Sequence, residues 1–414
     1  MRVYFHTFGC KANQYDTEAV RQAIEAAGGV AVSDPRAADA AVVNSCTVTH
    51  VAEAKLRSLV RRLGRAGGPG RTVVMGCAAA RDDGAIGRLP GVAAVVAGPD
   101  VSGVVTALGF PPPPAPDGLR GLGRGARAWL KIQDGCDEHC TFCATTLARG
   151  VNRSRGVDDL VAEAEQLAVR HEEIVLTGVH IGAYGADLGG ETSLGRLVQT
   201  LVQRVGRVRF RLSSVEATEV DERIGDLMAG APDRLAPHLH APLQSGSDRI
   251  LRRMGRHWYT ASTYRARIER LAARLPRFGL GADVMVGFPG ETEADHERSV
   301  ELVRDLPFTY LHVFPYSPRP GVAALRLGAP VPPPVSARRS AELRELAEQR
   351  GRAYAAARAG SLADVVMLRR AQGSYEGLTE DYLTAYVPAG DGPVAGRLRA
   401  RLSAENDRLV ARAA

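Results

Sequence analysis

The amino-acid sequence predicts an α/β protein with a parallel-sheet N-terminal domain, a (β/α)6 partial barrel and a small C-terminal β-barrel. Three observations support this prediction. Strand-like and helix-like segments alternate within residues 1–108 and again within residues 126–328. Proline-rich stretches interrupt the pattern near residues 109–118 and 327–334, where neither helix nor sheet can continue. Short alternating segments occupy residues 359–414.

The predicted N-terminal domain contains three cysteines in equivalent places. Predicted strands cover residues 3–8, 40–44 and 72–75, with helices near 17–27 and 52–63. Cys10, Cys46 and Cys77 each follow one strand, at separations of 36 and 31 residues. Because parallel sheets bind ligands at the carboxyl ends of their strands, we expect the three thiols to share a metal site. Three buried structural thiols are the alternative.

Six further strands predict the partial barrel. They cover residues 128–132, 173–177, 208–212, 238–243, 281–286 and 310–314, with helices such as 157–171 and 260–275 between them. Parallel barrels place their active sites at the carboxyl ends of the strands. A charged helix is expected over residues 335–358, followed by strands within 364–368, 374–386 and 396–402.

The composition sets limits on the class of protein. The 414 residues are 45% hydrophobic and 24% charged, which excludes a wholly disordered or fibrous chain. No apolar stretch approaches the ~20 residues of a membrane helix, and the N-terminus lacks a signal-peptide pattern. We therefore predict a cytoplasmic protein with no membrane partner. The net charge is +7, and only three of the 53 basic residues are lysines. Arginine suits nucleic-acid contacts, although a solvated surface would look the same.

The sharpest motif is the segment CDEHCTFC, residues 136–143. Its three thiolates, Cys136, Cys140 and Cys143, can bind three irons of a 4Fe–4S cluster and leave the fourth iron open. S-adenosylmethionine can chelate such an iron. A zinc site with His139 as the fourth ligand is the alternative, but zinc sites usually take paired ligands from two separated segments.

This motif, following a strand at the start of a (β/α)6 barrel, resembles the radical S-adenosylmethionine superfamily. Residues 130–136, Arg149-Gly150 and Ser154-Arg155 are similar to its methylthiotransferase family, as are the segments around the other three cysteines, 9–16, 43–49 and 74–77. The order of domains also matches, with a C-terminal TRAM-like module. One departure is Ala144-Thr145-Thr146, where the family usually has Ile-Ile-Pro, and this puts the packing beside the cluster in question.

The resemblance implies two 4Fe–4S clusters and S-adenosylmethionine as cofactors. Cys136, Cys140 and Cys143 would be the catalytic ligands of the first cluster, which cleaves S-adenosylmethionine to a 5′-deoxyadenosyl radical. Cys10, Cys46 and Cys77 would hold the second cluster, which delivers sulfur, while a second S-adenosylmethionine supplies the methyl group. Implied partners are an electron donor such as flavodoxin or ferredoxin, and a sulfur donor.

Four residues near the ends of barrel strands are candidates to bind S-adenosylmethionine: Gly178, Ser213, Glu216 and Gln244. A glycine permits close approach of the backbone to a ligand, and the other three offer hydroxyl, carboxylate and amide groups. Turn or helix-cap roles are the alternative for each. We expect His180 and His238 to serve packing or turns.

The segments Gly178–Gly185 and Gln14–Thr17 are most similar to the tRNA threonylcarbamoyladenosine methylthiotransferases. The implied target is C2 of the modified adenosine immediately 3′ of the anticodon. Two basic clusters agree with an RNA partner: Lys55, Arg57, Arg61, Arg62 and Arg65, and Arg249, Arg252, Arg253 and Arg256. A prenylated adenosine, a ribosomal protein, or a non-catalytic iron–sulfur RNA-binding role are the alternatives. A carrier, however, needs neither a barrel nor an open iron.

Overall fold

The computed structural model describes residues 1–47, 50–65, 68–113, 118–119, 125–371, 373–390, 396–406 and 408–414. Val48 and Thr49 of the second cysteine motif, and residues 114–117 and 120–124 of the proline- and glycine-rich segment, lie outside the described residues. Within the described residues, no helix combines the length and apolar character needed to cross a bilayer.

The N-terminal region is a five-stranded parallel sheet with strand order β2-β1-β3-β4-β5. The strands are β1 (Arg2–Thr7), β2 (Val30–Val32), β3 (Ala40–Ser45), β4 (Arg71–Gly76) and β5 (Val92–Ala97), and the helices are α1 (Lys11–Ala26), α2 (His50–Leu63) and α3 (Val101–Ala107). Apolar faces of α1 and α3 pack on one side of the sheet, and α2 packs on the other. The three predicted strands are therefore present, while β2, β5 and α3 were not predicted.

The next region contains six parallel strands. They are β6 (Arg127–Lys131), β9 (Glu173–Thr177), β10 (Arg209–Leu212), β11 (His238–His240), β12 (Gly279–Val286) and β13 (Tyr310–Pro315). The first three and the last three each form a parallel sheet, and single bridges, such as Ser214 to His240, connect β10 to β11. This arrangement confirms the predicted (β/α)6 partial barrel. The strand β10 lies at one edge of the first sheet. The strand β11 is shorter than the predicted 238–243.

Two short strands and seven helices complete this region. The strands β7 (Gln133–Asp134) and β8 (Arg153–Ser154) pair with each other beside the cysteine triplet. The helices are α4 (Thr145–Arg149), α5 (Val157–Ala168), α6 (Leu194–Arg204), α7 (Glu222–Gly230), α8 (Asp248–Arg253), α9 (Ala261–Ala272) and α10 (Glu293–Asp305). Buried side chains from the strands and these helices share one large apolar core.

The long helix α11 (Pro333–Arg358) leads into a closed five-stranded barrel. Its strands are β14 (Leu362–Ala371), β15 (Ser374–Leu378), β16 (Thr384–Pro388), β17 (Arg397–Glu405) and β18 (Arg408–Ala413). The predicted strand over 374–386 is thus two strands. Between them, Thr379 accepts a hydrogen bond from the Leu383 N–H at 2.9 Å and Tyr382 adopts a positive φ of 72°.

Buried ion pairs fix the small barrel to the larger one. Glu173 on β9 binds Arg209 and Arg211 of β10, and none of these three side chains is more than 1% exposed. Arg211 also donates to the carbonyl oxygens of Thr379 and Glu380, each at 3.0 Å. Arg211 of the larger barrel therefore completes its hydrogen bonds with backbone carbonyls of the C-terminal module.

Candidate active site

Cys10, Cys46 and Cys77 lie together at the carboxyl edge of the N-terminal sheet. Cys10 precedes α1, while Cys46 and Cys77 follow β3 and β4. The Asn13 Oδ1 atom accepts hydrogen bonds from the Cys10 thiol at 3.6 Å and from the Cys77 thiol at 3.9 Å. Gly9 has φ +115°, and a Cβ there would lie only 3.0 Å from the Cys46 Cβ. The strand ends therefore gather the three thiols, as the spacing predicted.

Asn13 is held rigidly at the centre of this group, which we call the N-terminal trio. Its Nδ2 atom donates to the carbonyl of Ser45 at 2.9 Å and to Oδ1 of Asn44 at 3.0 Å. Asn44 returns a bond from its own Nδ2 to the Asn13 carbonyl at 2.9 Å. These bonds fix the amide orientation, so Oδ1 faces the thiols.

Cys136, Cys140 and Cys143, the barrel trio, occupy the loop between β7 and α4. The Glu138 N–H donates to the Cys136 sulfur at 3.4 Å, and the Thr145 N–H donates to the Cys143 sulfur at 3.3 Å. The backbone of the loop therefore holds two of the three sulfurs in place. All three thiols are partly exposed.

The segment Ala144-Thr145-Thr146 leads from the last of these cysteines into α4. Ala144 is buried among Ile250, Met254 and Phe288, so a small apolar residue fills the place beside the loop. Thr145 is the first residue of the helix. The departure from the family pattern therefore leaves a packed helix directly after the triplet.

Neither trio has the geometry of a site for one small ion. Thiolates on a single zinc lie within roughly 4 Å of one another, because each Zn–S bond is about 2.3 Å. Throughout the described ranges, one group of three His, Cys, Asp or Glu residues has its donor atoms within 4.8 Å of each other: His240, Asp283 and His312. His139 is exposed and joins no such group with the triplet. The more widely spaced thiols suit a larger, multi-iron cluster.

Arg149 links the two trios. Its Nε atom donates to the Cys77 sulfur at 3.2 Å, and its Nη2 atom donates to Asn13 Oδ1 at 2.8 Å. The carbonyl of the next residue, Gly150, accepts the N–H of Cys136 at 3.0 Å. One dipeptide therefore contacts the sulfur of Cys77 and the backbone of Cys136, so a residue of each trio adjoins it.

The positive charge of Arg149 is balanced in the interior. Asp16 accepts from Nη2 at 2.7 Å, and Asp134 accepts from Nη1 at 2.9 Å. Burial raises the pKa of the Cys77 thiol to about 11, although the Arg149 charge opposes the shift. A bound metal cation lowers such a pKa much further, so metal binding at Cys77 is coupled to loss of its proton.

Arg256 plays a comparable part at the barrel trio. Its Nη1 atom donates to the Cys140 sulfur at 3.5 Å, and its Nη2 atom pairs with Glu216 Oε1. The Tyr259 hydroxyl accepts from its Nε at 2.9 Å. Burial raises the pKa of Cys140 to about 12, and the Arg256 charge opposes this shift too. Glu216 is thus one side chain away from a cluster ligand.

His180 also contacts this trio. Its Nδ1 atom lies 3.6 Å from the Cys136 sulfur, and its Nε2 atom lies 2.7 Å from Glu219 Oε1. It begins the one-turn helix Ile181–Ala183, which agrees with the expected turn role. The contact with Cys136 goes beyond that expectation, since nothing in the local sequence indicates it.

Two of the four candidate S-adenosylmethionine residues present buried acceptors without partners. Glu216 Oε2 and Gln244 Oε1 are buried and have no hydrogen-bond partner among the described residues. Gln244 also has a positive φ of 63°, a strained conformation that is often found at functional sites. Both atoms suit a ligand that donates hydrogen bonds, as the ammonium, hydroxyl and adenine amino groups of S-adenosylmethionine do.

The other two candidates differ. A Cβ at Gly178 would lie 2.7 Å from the Gln133 carbonyl oxygen, so this glycine is required by packing within the protein. Gln133 Oε1 also accepts the N–H groups of Val179 and His180 at 3.0 and 2.9 Å. Ser213 is half-buried and lines a cavity of about 130 Å³ inside the barrel.

The two predicted basic clusters have different surroundings. All five cations on and after α2 are exposed: Lys55, Arg57, Arg61, Arg62 and Arg65. The second cluster is largely neutralised within the protein. Arg249 pairs with Asp295, Arg253 donates to the carbonyls of Pro289 and Leu327, and Arg256 is 4% exposed. Arg249 and Arg252 are exposed, so the interpretation of that cluster as an RNA-binding surface stays a prediction that rests on these two residues.

Comparisons with known proteins identify the family. A model described as "Uncharacterized protein family UPF0004" matches residues 2–98, and the Radical SAM superfamily model matches residues 130–303. The threonylcarbamoyladenosine tRNA methylthiotransferase of Bacillus subtilis is 36% identical over 375 residues, covering 85% of this chain and 82% of the relative. The chain belongs to the radical S-adenosylmethionine methylthiotransferase family.

Two further relatives extend the comparison. The Thermotoga maritima threonylcarbamoyladenosine tRNA methylthiotransferase is 37% identical, covering 80% of this chain and 78% of the relative. The tRNA-2-methylthio-N6-dimethylallyladenosine synthase of Methylobacillus flagellatus is 33% identical, covering 88% and 87%. Among solved structures, the radical S-adenosylmethionine methyltransferase TsrM of Kitasatospora setae has a TM-score of 0.51 and 15% identity, covering 75% of this chain and 72% of that one. This likeness supports the fold alone.

Membership makes this protein a radical S-adenosylmethionine methylthiotransferase, and it implies S-adenosylmethionine and a 4Fe–4S cluster as cofactors. The barrel trio has the donor set for that cluster, and the unpartnered Glu216 and Gln244 oxygens nearby suit the cofactor. Sequence reasoning missed the contacts of four side chains to the thiols, those of Asn13, Arg149, His180 and Arg256. The family motifs contain the first three, but only the folded chain shows what their side chains bind.

Proposed function

We propose that this enzyme adds a 2-methylthio group to C2 of N6-threonylcarbamoyladenosine, next to the anticodon of tRNA, by a 5′-deoxyadenosyl radical mechanism. The observation that carries the proposal is the pair of thiol trios on either side of Arg149-Gly150. A sulfur-inserting reaction needs a radical source and a sulfur source close together, and neighbouring clusters would supply both. Two relatives named for this substrate, at 36% and 37% identity, support the choice.

The six cysteines would divide into two cluster sites. When bound, a reduced 4Fe–4S cluster on Cys136, Cys140 and Cys143 supplies the radical from S-adenosylmethionine, and a second 4Fe–4S cluster supplies sulfur. We assign that second cluster to the N-terminal trio, Cys10, Cys46 and Cys77. An electron donor such as flavodoxin or ferredoxin and a sulfur donor complete the proposed partners.

The surrounding side chains position these ligands and the cofactor. Arg149 holds Cys77 against Asn13, and Arg256 holds Glu216 beside Cys140. We assign S-adenosylmethionine to Glu216 and Gln244, with Ser213 and Gly178 contributing to the same end of the barrel. Arg149 and Arg256 are both buried, so each excludes water from the side of the thiol that it contacts.

The exposed cations of α2 would receive the RNA. They lie on, or just after, one helix of the same N-terminal region that holds three of the thiols. A base must leave the anticodon loop to reach a buried site, and single-stranded loop bases do this at low cost. A tRNA substrate also implies a cytoplasmic location.

One relative favours a second candidate. The Methylobacillus flagellatus enzyme, at 33% identity, is named for a dimethylallyl adenosine, so the same chemistry on a prenylated tRNA base is the competing function. Both candidates share the two trios, and they differ only in the group attached to N6 of the adenosine.

Nucleoside mass spectrometry of tRNA separates these functions. We expect cells lacking the gene to lose 2-methylthio-threonylcarbamoyladenosine and to retain 2-methylthio groups on prenylated adenosine. Return of the gene should restore the lost nucleoside, whereas the gene carrying Cys46→Ala should not. Loss of the prenylated product instead would establish the competing function, and an unchanged nucleoside pattern would contradict a role in either tRNA modification.

A further inference from the structure

A cavity of about 130 Å³ lies inside the partial barrel, and residues close in sequence to both proposed cofactor sites line it. Its wall includes Lys11, the residue after Cys10, and Ser213, three residues before Glu216. Tyr382 of the small C-terminal barrel closes another side. The volume is several times the ~30 Å³ share of one liquid water, so the cavity can hold a substituent of several heavy atoms.

The wall of this cavity carries an excess of positive charge. Three of its residues are cationic, Lys11, Arg127 and Arg211, and one is a carboxylate, Asp283. Glu173 lies behind the wall and pairs with both arginines, which leaves three cations facing two carboxylates. Only Val175 and Leu212 contribute purely aliphatic side chains. Such a wall suits a polar anion and is a poor environment for a hydrocarbon group.

The Asp283 carboxylate is already occupied by the protein. Its Oδ1 atom lies 3.1 Å from His240 Nε2 and 3.2 Å from His312 Nδ1. The hydroxyl of Tyr310 in turn contacts His240 Nδ1 at 3.1 Å. This network already binds Asp283, the carboxylate of the cavity wall. The groups of the wall that remain available to a ligand are therefore mainly hydrogen-bond donors.

Three polar groups in the wall have no partner, and two of them, those of Lys11 and Arg127, are donors. In the part of the chain that the structure describes, the half-buried Lys11 ammonium has neither an ion pair nor a hydrogen bond. Arg127 Nη2 and His238 Nδ1 are buried without a partner, and the whole His238 residue is only 2% exposed. Buried donors without acceptors cost free energy, typically ~1–3 kcal/mol each. Their convergence on one cavity indicates a ligand that brings acceptor oxygens.

We propose that this cavity binds a carboxylate on the substituent of the substrate nucleoside, with Lys11 as its cationic partner. The inference rests on the proposed function, in which that carboxylate belongs to the threonyl group on N6 of the adenosine. A prenyl group brings no acceptor and would leave the Lys11 and Arg127 donors unsatisfied. The cavity would therefore select threonylcarbamoyladenosine over prenylated adenosine, because a site built for polar contacts rejects an analogue that lacks them.

Anaerobic binding of the reconstituted protein to two anticodon stem-loops tests this inference. One RNA carries threonylcarbamoyladenosine, and the other carries the methyl ester of its threonyl carboxylate, which removes the charge and adds one methyl group. We expect the wild-type protein to bind the carboxylate RNA about 10-fold more tightly, as one charge-assisted hydrogen bond provides. Lys11→Met should bind both RNAs equally. Each protein is compared with itself, so a fraction that fails to fold does not change the ratio.

Lys55→Met is the matched control. Lys55 is exposed on α2, so its loss removes the same charge from the protein without touching the cavity. Its affinity for both RNAs should fall together, and the 10-fold ratio should remain. Equal binding of the two RNAs by the wild-type protein, or an unchanged ratio in Lys11→Met, would overturn the proposal.

Two further measurements separate this proposal from others. S-adenosylmethionine also carries a carboxylate, so its dissociation constant is measured with the same proteins. If Lys11→Met weakens the cofactor and leaves the RNA ratio unchanged, the cavity serves the cofactor and the proposal fails. If the wild-type enzyme methylthiolates only a prenylated stem-loop, the proposed function itself fails. Methylthiolation of the carboxylate RNA with no preference over the ester overturns the cavity assignment alone.

Discussion

Arg149 donates a hydrogen bond from Nε to the sulfur of Cys77 at 3.2 Å. Arg149 ends the helix that follows the barrel trio, whereas Cys77 follows a strand of the N-terminal sheet. A side chain from one metal-binding region therefore touches a proposed ligand of the other. The same guanidinium binds Asp16 and Asp134, so one buried cation joins groups from both regions.

Replacement of Arg149 should disturb both stability and the N-terminal trio. Arg149→Gln removes one of the two cations that pair with Asp16 and Asp134. Because Lys131 still pairs with both, the cost should lie below the about 3–5 kcal/mol of breaking an isolated buried pair. We expect a lower midpoint in urea unfolding and less iron per chain after reconstitution. Arg153→Gln is the control, because Arg153 is exposed and donates to backbone carbonyls. Equal unfolding midpoints and iron contents in the two variants would contradict a role for Arg149.

Variants of the two trios should separate two activities. Cys140→Ala removes a proposed ligand of the radical-generating cluster, so both 5′-deoxyadenosine and the methylthio nucleoside should be lost. Cys46→Ala affects only the other trio, so 5′-deoxyadenosine should still form from S-adenosylmethionine without sulfur insertion. Chromatography of both products under anaerobic, reducing conditions measures this. If both variants lose the two activities to the same extent, the assignment of separate tasks is incorrect.

Glu216 should contribute to the affinity for S-adenosylmethionine. In Glu216→Gln an amide replaces the carboxylate. The unpartnered Oε2 acceptor then becomes either a neutral oxygen or an NH₂ donor that faces the cofactor's own donors. We expect an approximately 10-fold weaker dissociation constant, typical of one charge-assisted hydrogen bond, in equilibrium binding to the reconstituted protein. Glu222→Gln is the control, since Glu222 pairs with Arg270 and Arg274 at the surface. An unaltered affinity in Glu216→Gln would place the cofactor elsewhere.

The exposed cations of α2 should govern the salt dependence of RNA binding. Each cation that neutralises a phosphate releases counterions, so its removal lowers the slope of log K against log salt concentration by about 1. Arg57→Gln and Arg61→Gln should each reduce this slope in filter binding of tRNA. Arg352→Gln on α11 removes an equally exposed cation and should leave the slope unchanged. A slope altered only by the α11 variant would move the RNA surface to that helix.

Asp295 should make the protein sensitive to acid. Burial favours the neutral carboxyl, but hydrogen bonds from Arg249, Ser247 and Thr292 outweigh it and hold the pKa of Asp295 below its usual value of 3.8. A carboxyl with a lowered pKa stabilises the fold above its unfolded pKa, and that contribution disappears as the pH falls toward the folded value. The free energy of unfolding should therefore drop below about pH 4.

Asp295→Asn tests this dependence in urea unfolding at neutral pH and at about pH 4. The variant should be less stable than the wild type at neutral pH and should lose less stability on acidification. Asp305→Asn, at an exposed ion pair with Arg265, serves as the control. A wild-type acid response that Asp295→Asn reproduces in full would assign the sensitivity to other groups.

Much of the fold could be predicted because long apolar strands alternate with helices. The strand at Glu173–Thr177 has the predicted bounds, and the cysteines lie at strand ends as their spacing indicated. The strand at Val30–Val32 was missed because three residues at a sheet edge carry little periodic signal. Val92–Ala97 is rich in small residues that fit helix or strand equally well.

The partners of the arginines could not be predicted from sequence. Arg256 belongs to a run that reads as a basic surface, yet it pairs with Glu216 and contacts Cys140, residues 40 and 116 positions away. Counting charges cannot reveal which cations meet a buried acid brought in by another strand. The same applies to Arg149, whose motif position was noted but whose four buried partners come from three distant segments.

The hydrogen bonds from Arg211 to the C-terminal module also restrict which nucleotide of an RNA can reach the candidate active site. Two of the Arg211 donors bind backbone oxygens of Thr379 and Glu380, so the small barrel is held against the large barrel in one orientation. An RNA that contacts both barrels would have to span a fixed distance. Only a nucleotide at the matching distance from the contact with the small barrel would then reach the candidate active site.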